Sequence, residues 1–321
     1  MEIVLANPRC YCAGVDRAVQ IVELAIDTFG APVYVRKEIV HNQFVVNRLR
    51  DLGAVFVEEL SEVPEDSLVV FSAHGVAPSI HEEAKERQLR VIDASCPLVT
   101  KVHLEVLRFV KEGYHIAFIG RKGHEEVEGT MGHAPDHITL VEDVEQAGTV
   151  ELPSDKKLMV LMQTTLSVDD TKVVVNALRE RYPNLELPPT EDICYATQNR
   201  QDAVKEMCET GIGLLLVVGS HNSSNAARLV EVAQRRGVPG YRIDNANELN
   251  PDWLNGVELI GLTGGASTPD EVVQSVIVRL KELGADNVRM CTTAEENVVF
   301  QLPLVLKEAE SKFPKRQPAT K

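Results

Sequence analysis

The 321-residue chain has no C-x2-C pair, and its six cysteines are too few and too scattered for a disulfide framework. The spacing typical of structural zinc sites is likewise missing. No apolar stretch approaches the ~20 residues of a membrane span. The first residues, Met1 to Pro8, carry no basic segment and only a short apolar run, so no signal peptide is expected. Positive charge is in deficit: 33 Lys and Arg face 48 Asp and Glu, a net charge of −15. That balance argues against nucleic acid as the main partner. No loop carries the phosphate-loop or dinucleotide glycine pattern, so a nucleotide is not indicated. There is no low-complexity tract. These absences leave a protein of a reducing cytoplasm as the expectation.

What is present is an ample core. Apolar residues make up 44% of the chain, and its length suggests two or three domains of roughly 100–150 residues. Continuous apolar runs fit strands covered on both faces: Ile3–Ala6, Val33–Val35, Leu68–Phe71, Ile116–Ile119, Leu158–Met162, Leu214–Val218 and Leu259–Leu262. Helix-period segments lie between them, at Asp16–Thr28, Leu98–Lys111, Asp170–Arg181, Gln201–Glu209, Ala226–Arg236 and Asp270–Leu283. Thr268 is expected to cap the last of these, with Pro269 as its first residue. The alternation predicts an α/β fold of largely parallel sheets. Tyr182 to Thr190, rich in proline, reads as a connection, and Phe313 to Pro318 as a disordered end.

A repeat then stands out. His41 follows Cys12 by 29 residues, His124 follows Cys96 by 28, and Ser223 follows Cys194 by 29. A second polar loop comes later in each third: His74 at offset 62, Thr165 at 69 and Ser267 at 73. One thiol plus two polar loops, three times over, predicts three similar lobes facing one centre. The expected divisions are 1–95, 96–193 and 194–304, with a tail over 305–321. The loops follow the strands' carboxyl ends, where α/β sheets bind ligands, and their small polar residues suit an anion. Capping is the ordinary reading of any one loop. Five such loops together, beginning at Ser72, Gly120, Gln163, Gly219 and Thr263, favour a ligand site. Arg36-Lys37 and Arg121-Lys122 are further sources of local positive charge.

Cys208, in an apolar-periodic helix, and Cys291 read as small buried hydrophobes. Cys12, Cys96 and Cys194 instead lie beside helix starts, where the dipole favours thiolate. Three dispersed thiolates suit an iron–sulfur cluster whose fourth iron lacks a protein ligand, and such an iron can act as a Lewis acid and pass electrons. Glu125, Glu126 and Glu128 offer carboxyls near the expected centre for proton delivery, although Glu128 reads as a solvated charge. His81, His103 and His115 read as satisfied core or surface residues. His41, His74 and His124 share the repeat and suit a phosphate, since charge-assisted hydrogen bonds contribute about 1.5–3 kcal/mol each.

The motifs themselves resemble those of the 4-hydroxy-3-methylbut-2-enyl diphosphate reductase family. They include Ala6-Asn7-Pro8-Arg9, Cys12-Ala13-Gly14-Val15-Asp16-Arg17-Ala18, Val40-His41-Asn42, Ser72-Ala73-His74-Gly75-Val76 and Cys96-Pro97-Leu98-Val99-Thr100-Lys101-Val102-His103. Glu126-Val127-Glu128-Gly129-Thr130-Met131-Gly132, Gln163-Thr164-Thr165-Leu166-Ser167, Asp192-Ile193-Cys194-Tyr195-Ala196-Thr197, Asn222-Ser223-Ser224-Asn225 and Gly264-Gly265-Ala266-Ser267 continue it. The resemblance runs in order from about Glu2 to Pro303.

It implies the last step of the non-mevalonate isoprenoid pathway: reductive removal of an allylic hydroxyl with two electrons and two protons, giving isopentenyl and dimethylallyl diphosphates. By the same resemblance, Cys12, Cys96 and Cys194 would hold one [4Fe–4S] cluster per chain, with one iron lacking a protein ligand. The substrate hydroxyl would meet that iron near Thr165, and Glu126 would donate the proton. His41, His74, His124, Ser223, Ser224, Asn225 and Ser267 would bind the diphosphate. The fold implied is a pseudo-threefold trefoil of α/β lobes around the cluster, and the electron donor a reduced ferredoxin or flavodoxin. Two residues depart from the family pattern: Cys10-Tyr11 stands where Gly-Phe is usual, and Glu125 where proline is common. Cys10 is expected not to be a ligand. Two other classes remain as alternatives: an iron–sulfur hydro-lyase, which would need no external reductant, and a non-catalytic iron–sulfur sensor, which would not need the ring of phosphate ligands.

Overall fold

The computed structural model describes residues 1–310, so the expected disorder of Phe313 to Pro318 lies outside the described residues. Strand β1 (Glu2–Asn7) leads to Cys12, which caps helix α1 (Ala13–Phe29). The chain then alternates through β2 (Val33–Arg36), α2 (Gln43–Leu52), β3 (Ala54–Val57), β4 (Leu68–Phe71), α3 (Pro78–Glu86) and β5 (Arg90–Asp93). These four strands form a parallel sheet of order β3-β2-β4-β5.

Cys96 caps α4 (Pro97–Lys111), which opens the second lobe. There follow β6 (Tyr114–Ile119), α5 (Glu125–Met131), β7 (Ile138–Val141), α6 (Val144–Thr149), β8 (Lys157–Met162), α7 (Val168–Arg181) and β9 (Leu185–Glu186). The sheet order is β7-β6-β8-β9, again parallel. The proline-rich connection therefore contains a short edge strand, β9.

Cys194 caps α8 (Tyr195–Glu209) and opens the third lobe. Its elements are β10 (Leu214–Val218), α9 (Ser224–Arg235), β11 (Gly240–Ile243), β12 (Leu259–Gly264), α10 (Asp270–Glu282) and β13 (Asn287–Thr292). The third sheet has order β11-β10-β12-β1-β13. Helix α11 (Leu304–Glu310) ends the described chain.

All strand pairs are parallel, and strands such as β4, β6 and β10 are buried at every residue. Helices cover both faces, which is why these strands are apolar throughout rather than alternating. On β1, Ile3 and Leu5 enter one core while Val4 and Ala6 enter the other.

Two expectations about boundaries need correction. The division at 1–95 does not follow the sheets: β1 pairs with β12 and β13, so the chain begins inside the third lobe. Backbone pairing over six residues with β13 outweighs sequence proximity. Nor does a tail begin at 305. Leu302 and Leu306 are buried in the core that also contains Ala18, Val22 and Val33. The start of α10 is also one residue later than expected. Pro269 is the cap, and Thr268 Oγ1 donates instead to the Val218 carbonyl at 2.8 Å.

Candidate active site

In each sheet the strand order reverses once. The reversal falls between β2 and β4, between β6 and β8, and between β10 and β12. Loops leaving the two strands astride such a switch point diverge and open a crevice at the strands' carboxyl ends. Those six loops carry His41 and His74, His124 and Thr165, and Ser223 and Ser267. The matched offsets in the sequence thus reflect three copies of one topological device.

The crevices meet in one cavity of about 700 Å³ of non-atom space, its mouth included. Cys12, Cys96, Cys194, His41, His74, His124, Glu126, Thr165, Ser223, Ser224, Asn225 and Ser267 all line it. Glu125, Glu128, Arg121 and Lys122 do not, and neither do Arg36 and Lys37, which pair with Glu59 and Glu58.

The thiols occupy the apolar end. Each cysteine stands at the N-cap of a helix, but only the Cys194 sulfur accepts a capping N–H. Thr197 N–H points at Cys194 Sγ at 3.4 Å, and its hydroxyl is 3.0 Å away. Burial nevertheless pushes Cys96 up to about 12 and Cys194 up to about 11, with Cys12 raising both. Three thiolates here need a cation to hold them. A Cβ built on Gly14 would lie 2.6 Å from Cys96 Sγ and 3.9 Å from Cys12 Sγ, so glycine keeps the space between them open. Among the described residues, the ligand atoms of His41, His74 and Glu125 crowd within 4.8 Å of one another, while the three sulfurs form no such group. A single tetrahedral ion, at about 2.3 Å from each sulfur, would need them closer. The donor set fits a multi-iron cluster.

The imidazoles form the polar end. His41 and His74 stack with centroids 4.1 Å apart, and His124 stands edge-on to them at 5.4 and 5.8 Å. His124 caps α5, its Nδ1 accepting the Glu126 N–H at 3.2 Å, so its proton sits on Nε2. Burial, then the other two imidazoles, pushes His124 down to about 3. His74 is lowered by burial and by His41. Opposite them α9 begins at Ser223, and the Ser224 hydroxyl is buried with no protein partner. A helix start with an orphaned hydroxyl suits an anion. Ser267 Oγ donates to the His41 carbonyl at 2.9 Å, and Asn225 Oδ1 accepts the Ala266 N–H at 2.9 Å.

Between the two ends lies Glu126, 3% exposed. Burial raises its carboxyl to about 7, against the opposing hydrogen bond from Thr164 N–H at 2.7 Å. The Thr165 hydroxyl oxygen accepts from Gln163 at 3.0 Å, which leaves its proton for a ligand.

Comparison with known proteins decides the family. The model of the family described as LytB protein matches residues 3–281. The chain belongs to the LytB protein family. It is 54% identical over 313 residues to the 4-hydroxy-3-methylbut-2-enyl diphosphate reductase of Mannheimia succiniciproducens, covering 97% of this chain and 99% of that one. It is 56% identical to the Corynebacterium glutamicum protein of the same name, covering 95% of each. The solved E-1-hydroxy-2-methyl-but-2-enyl-4-diphosphate reductase of Plasmodium falciparum superposes with a TM-score of 0.93 at 40% identity, over 97% of this chain and 98% of that one.

Both departures from the LytB pattern have a clear placement. Cys10 takes a left-handed backbone, φ 61°. Its side chain is 5% exposed and packs into the third lobe's core, with Sγ 3.6 Å from Asp270 Oδ1 and away from the cavity. Burial, then Asp270, raises its thiol strongly. Glu125 turns away from Glu126, its Oε2 lying 2.8 Å from His74 Nδ1. Burial pushes Glu125 up, but His74, His41 and Lys37 together hold it below the usual carboxylate range.

Several residues in and around the cavity escape sequence reasoning. Thr164 and Thr197 line the cavity, and Thr197, three residues into the helix from Cys194, is a spacing that could have flagged it. Arg200 is fully buried: Nη2 donates to the Cys10 carbonyl at 2.7 Å, Nη1 to the Ala196 carbonyl and to Glu296, both at 2.8 Å. It fastens the loop before Cys12 to the helix that starts at Cys194. His103 is not the satisfied core residue expected. Its Nε2 is buried and unpaired, with the His133 ring 4.2 Å away.

Proposed function

We propose that this chain reduces (E)-4-hydroxy-3-methylbut-2-enyl diphosphate to isopentenyl and dimethylallyl diphosphates. The reaction consumes two electrons and two protons and releases the allylic hydroxyl as water. The observation that carries the reading is the single cavity with thiols at one end, an anion cradle at the other and a near-neutral carboxyl between.

His41, His74, His124, Ser223, Ser224, Asn225 and Ser267 bind the diphosphate and orient the allylic chain toward the thiols. Ser267 must share its hydroxyl with the His41 carbonyl. Cys12, Cys96 and Cys194 would hold one [4Fe–4S] cluster, which would supply electrons and, lacking a fourth protein ligand, a Lewis-acidic iron. Glu126 holds a proton in a dry site and delivers it to the reacting end, with the Thr165 hydroxyl beside it. Reduced ferredoxin or flavodoxin delivers the electrons, and the protein works in the cytoplasm. No helix of the described residues is long and apolar enough to cross a membrane.

An anaerobic assay tests this reading. The brown, oxygen-sensitive protein, given the allylic diphosphate and a strong one-electron donor, forms both five-carbon diphosphates. Unchanged cluster spectra and no product would favour a sensor instead.

A further inference from the structure

Glu125 is the first residue of α5, directly after the His124 cap. Proline would fit that position well: a first-turn amide has no intrahelical acceptor, and proline's fixed φ suits the helix start. This chain carries a carboxylate instead. Its Oε2 is buried, and its near neighbour is His74 Nδ1 at 2.8 Å, close but without an aligned hydrogen bond. Ser72 Oγ lies 3.2 Å from the same nitrogen.

The two neighbours have opposite consequences. A serine hydroxyl can donate to Nδ1, which leaves the ring's single proton on Nε2. A carboxylate can only accept, so Nδ1 must carry a proton. A neutral ring would then face the cavity with a bare Nε2 lone pair, useless toward phosphate. Only the imidazolium offers a donor on both edges.

We propose that Glu125 is a positioning residue that makes His74 bind diphosphate as the imidazolium, one proton being taken from solvent as the anion enters. This rests on the diphosphate reading above. The charged or titratable groups around His74 are His41 and Glu38 from the loop after β2, His124 and Glu125 at the start of α5, and Lys37 beside Glu125. Before the anion arrives, burial and His41 keep the ring neutral. Diphosphate then adds negative charge at Nε2 while Glu125 supplies it at Nδ1, and together they favour the charged form. Glu38 stands 3.2 Å from His41 Nδ1 in a similar pose. Its charge is shared with Asn222 at 2.7 Å and Gln43 at 2.6 Å, so it is the weaker proton holder.

Calorimetry tests this with inorganic diphosphate and the full chain, in two buffers of different ionisation enthalpy. The parent is compared with Glu125→Gln, which is isosteric, and with Glu125→Pro, which the helix start accommodates. The parent takes up about one proton more per diphosphate than either variant, and its affinity falls more steeply as pH rises. Near neutral pH both variants bind about tenfold more weakly. Equal proton uptake in all three overturns the assignment, whatever happens to affinity. A parent that binds no diphosphate overturns the diphosphate reading and this inference with it, so the two failures are told apart.

Discussion

Glu126 Oε1 accepts the Thr164 backbone N–H at 2.7 Å, which fixes the carboxyl between the histidine cradle and the thiols. The contact joins the first turn of α5 to the loop after β8, so the second lobe's switch point itself aims the carboxyl proposed to donate the proton.

Replacing that donor is the sharpest test of its role. Glu126→Gln keeps the Thr164 contact and the shape of the site but cannot give up a proton. Turnover with a chemical reductant should fall by about 10²–10⁴, while iron content stays at the parent's level. Near-normal turnover would remove Glu126 from the mechanism.

Turnover should also depend on pH in a stated direction. Burial raises Glu126 to about 7, and the donor acts in its protonated form. The rate is therefore full below about 7 and declines above it. In a pH profile of kcat, a rise through pH 7 would contradict the account.

Gly14→Ala probes the thiol end without touching a thiol. The new Cβ would meet Cys96 Sγ at 2.6 Å, and the sulfur must move. Overpacking of this kind costs about 1–3 kcal/mol, and anaerobically reconstituted protein should hold clearly less iron than the parent. Full iron loading with parent-like spectra would show that the gap between the thiols is not needed.

Arg200 holds two cysteine-bearing segments together. Arg200→Met removes the donors to Glu296 and to the Arg9, Cys10, Tyr11 and Ala196 carbonyls. Asn199 still donates to Glu296 at 3.0 Å, so the loss comes mainly from the buried carbonyls, at about 1–3 kcal/mol for a group left unsatisfied. The thermal midpoint should drop sharply even without the cluster, and an unchanged midpoint would argue that the fastening is dispensable.

His103 predicts acid sensitivity of the fold. Burial, then His133 and His81, lowers it to about 3. The folded state thus binds fewer protons than the unfolded one, so stability is present above the unfolded value near 6.5 and is lost as pH falls below it. Between pH 7 and 5 this group removes about 2 kcal/mol. In denaturant melts the parent should lose stability relative to His103→Leu as pH falls from about 7 to 5, and parallel curves would show that other groups govern the acid limb.

Much of this was legible in the sequence. Helices α1, α4 and α8 follow Cys12, Cys96 and Cys194 because a helix start is a local event, readable from a few residues. The apolar strands betrayed their two-sided burial. Pairing partners were not legible. Nothing in Glu2–Asn7 says that it will lie between β12 and β13, since register and sheet order depend on contacts more than 250 residues away. Likewise Cys10 and Cys12 differ by two positions, yet the left-handed turn at Cys10 sends one thiol into the core and leaves the other in the cavity. A strand-like alternation would have put both on one face. Arg200 and His103 escaped for the same reason: the Cys10 carbonyl and Glu296 around the one, and the His133 ring beside the other, lie in other elements.

The central claim is that this cavity spends electrons on an allylic diphosphate. The most direct measurement counts donor electrons consumed against five-carbon diphosphates formed, without air. The account predicts two electrons for each molecule of isopentenyl or dimethylallyl diphosphate. Conversion of the substrate with no oxidation of the donor would contradict it and point to water elimination instead.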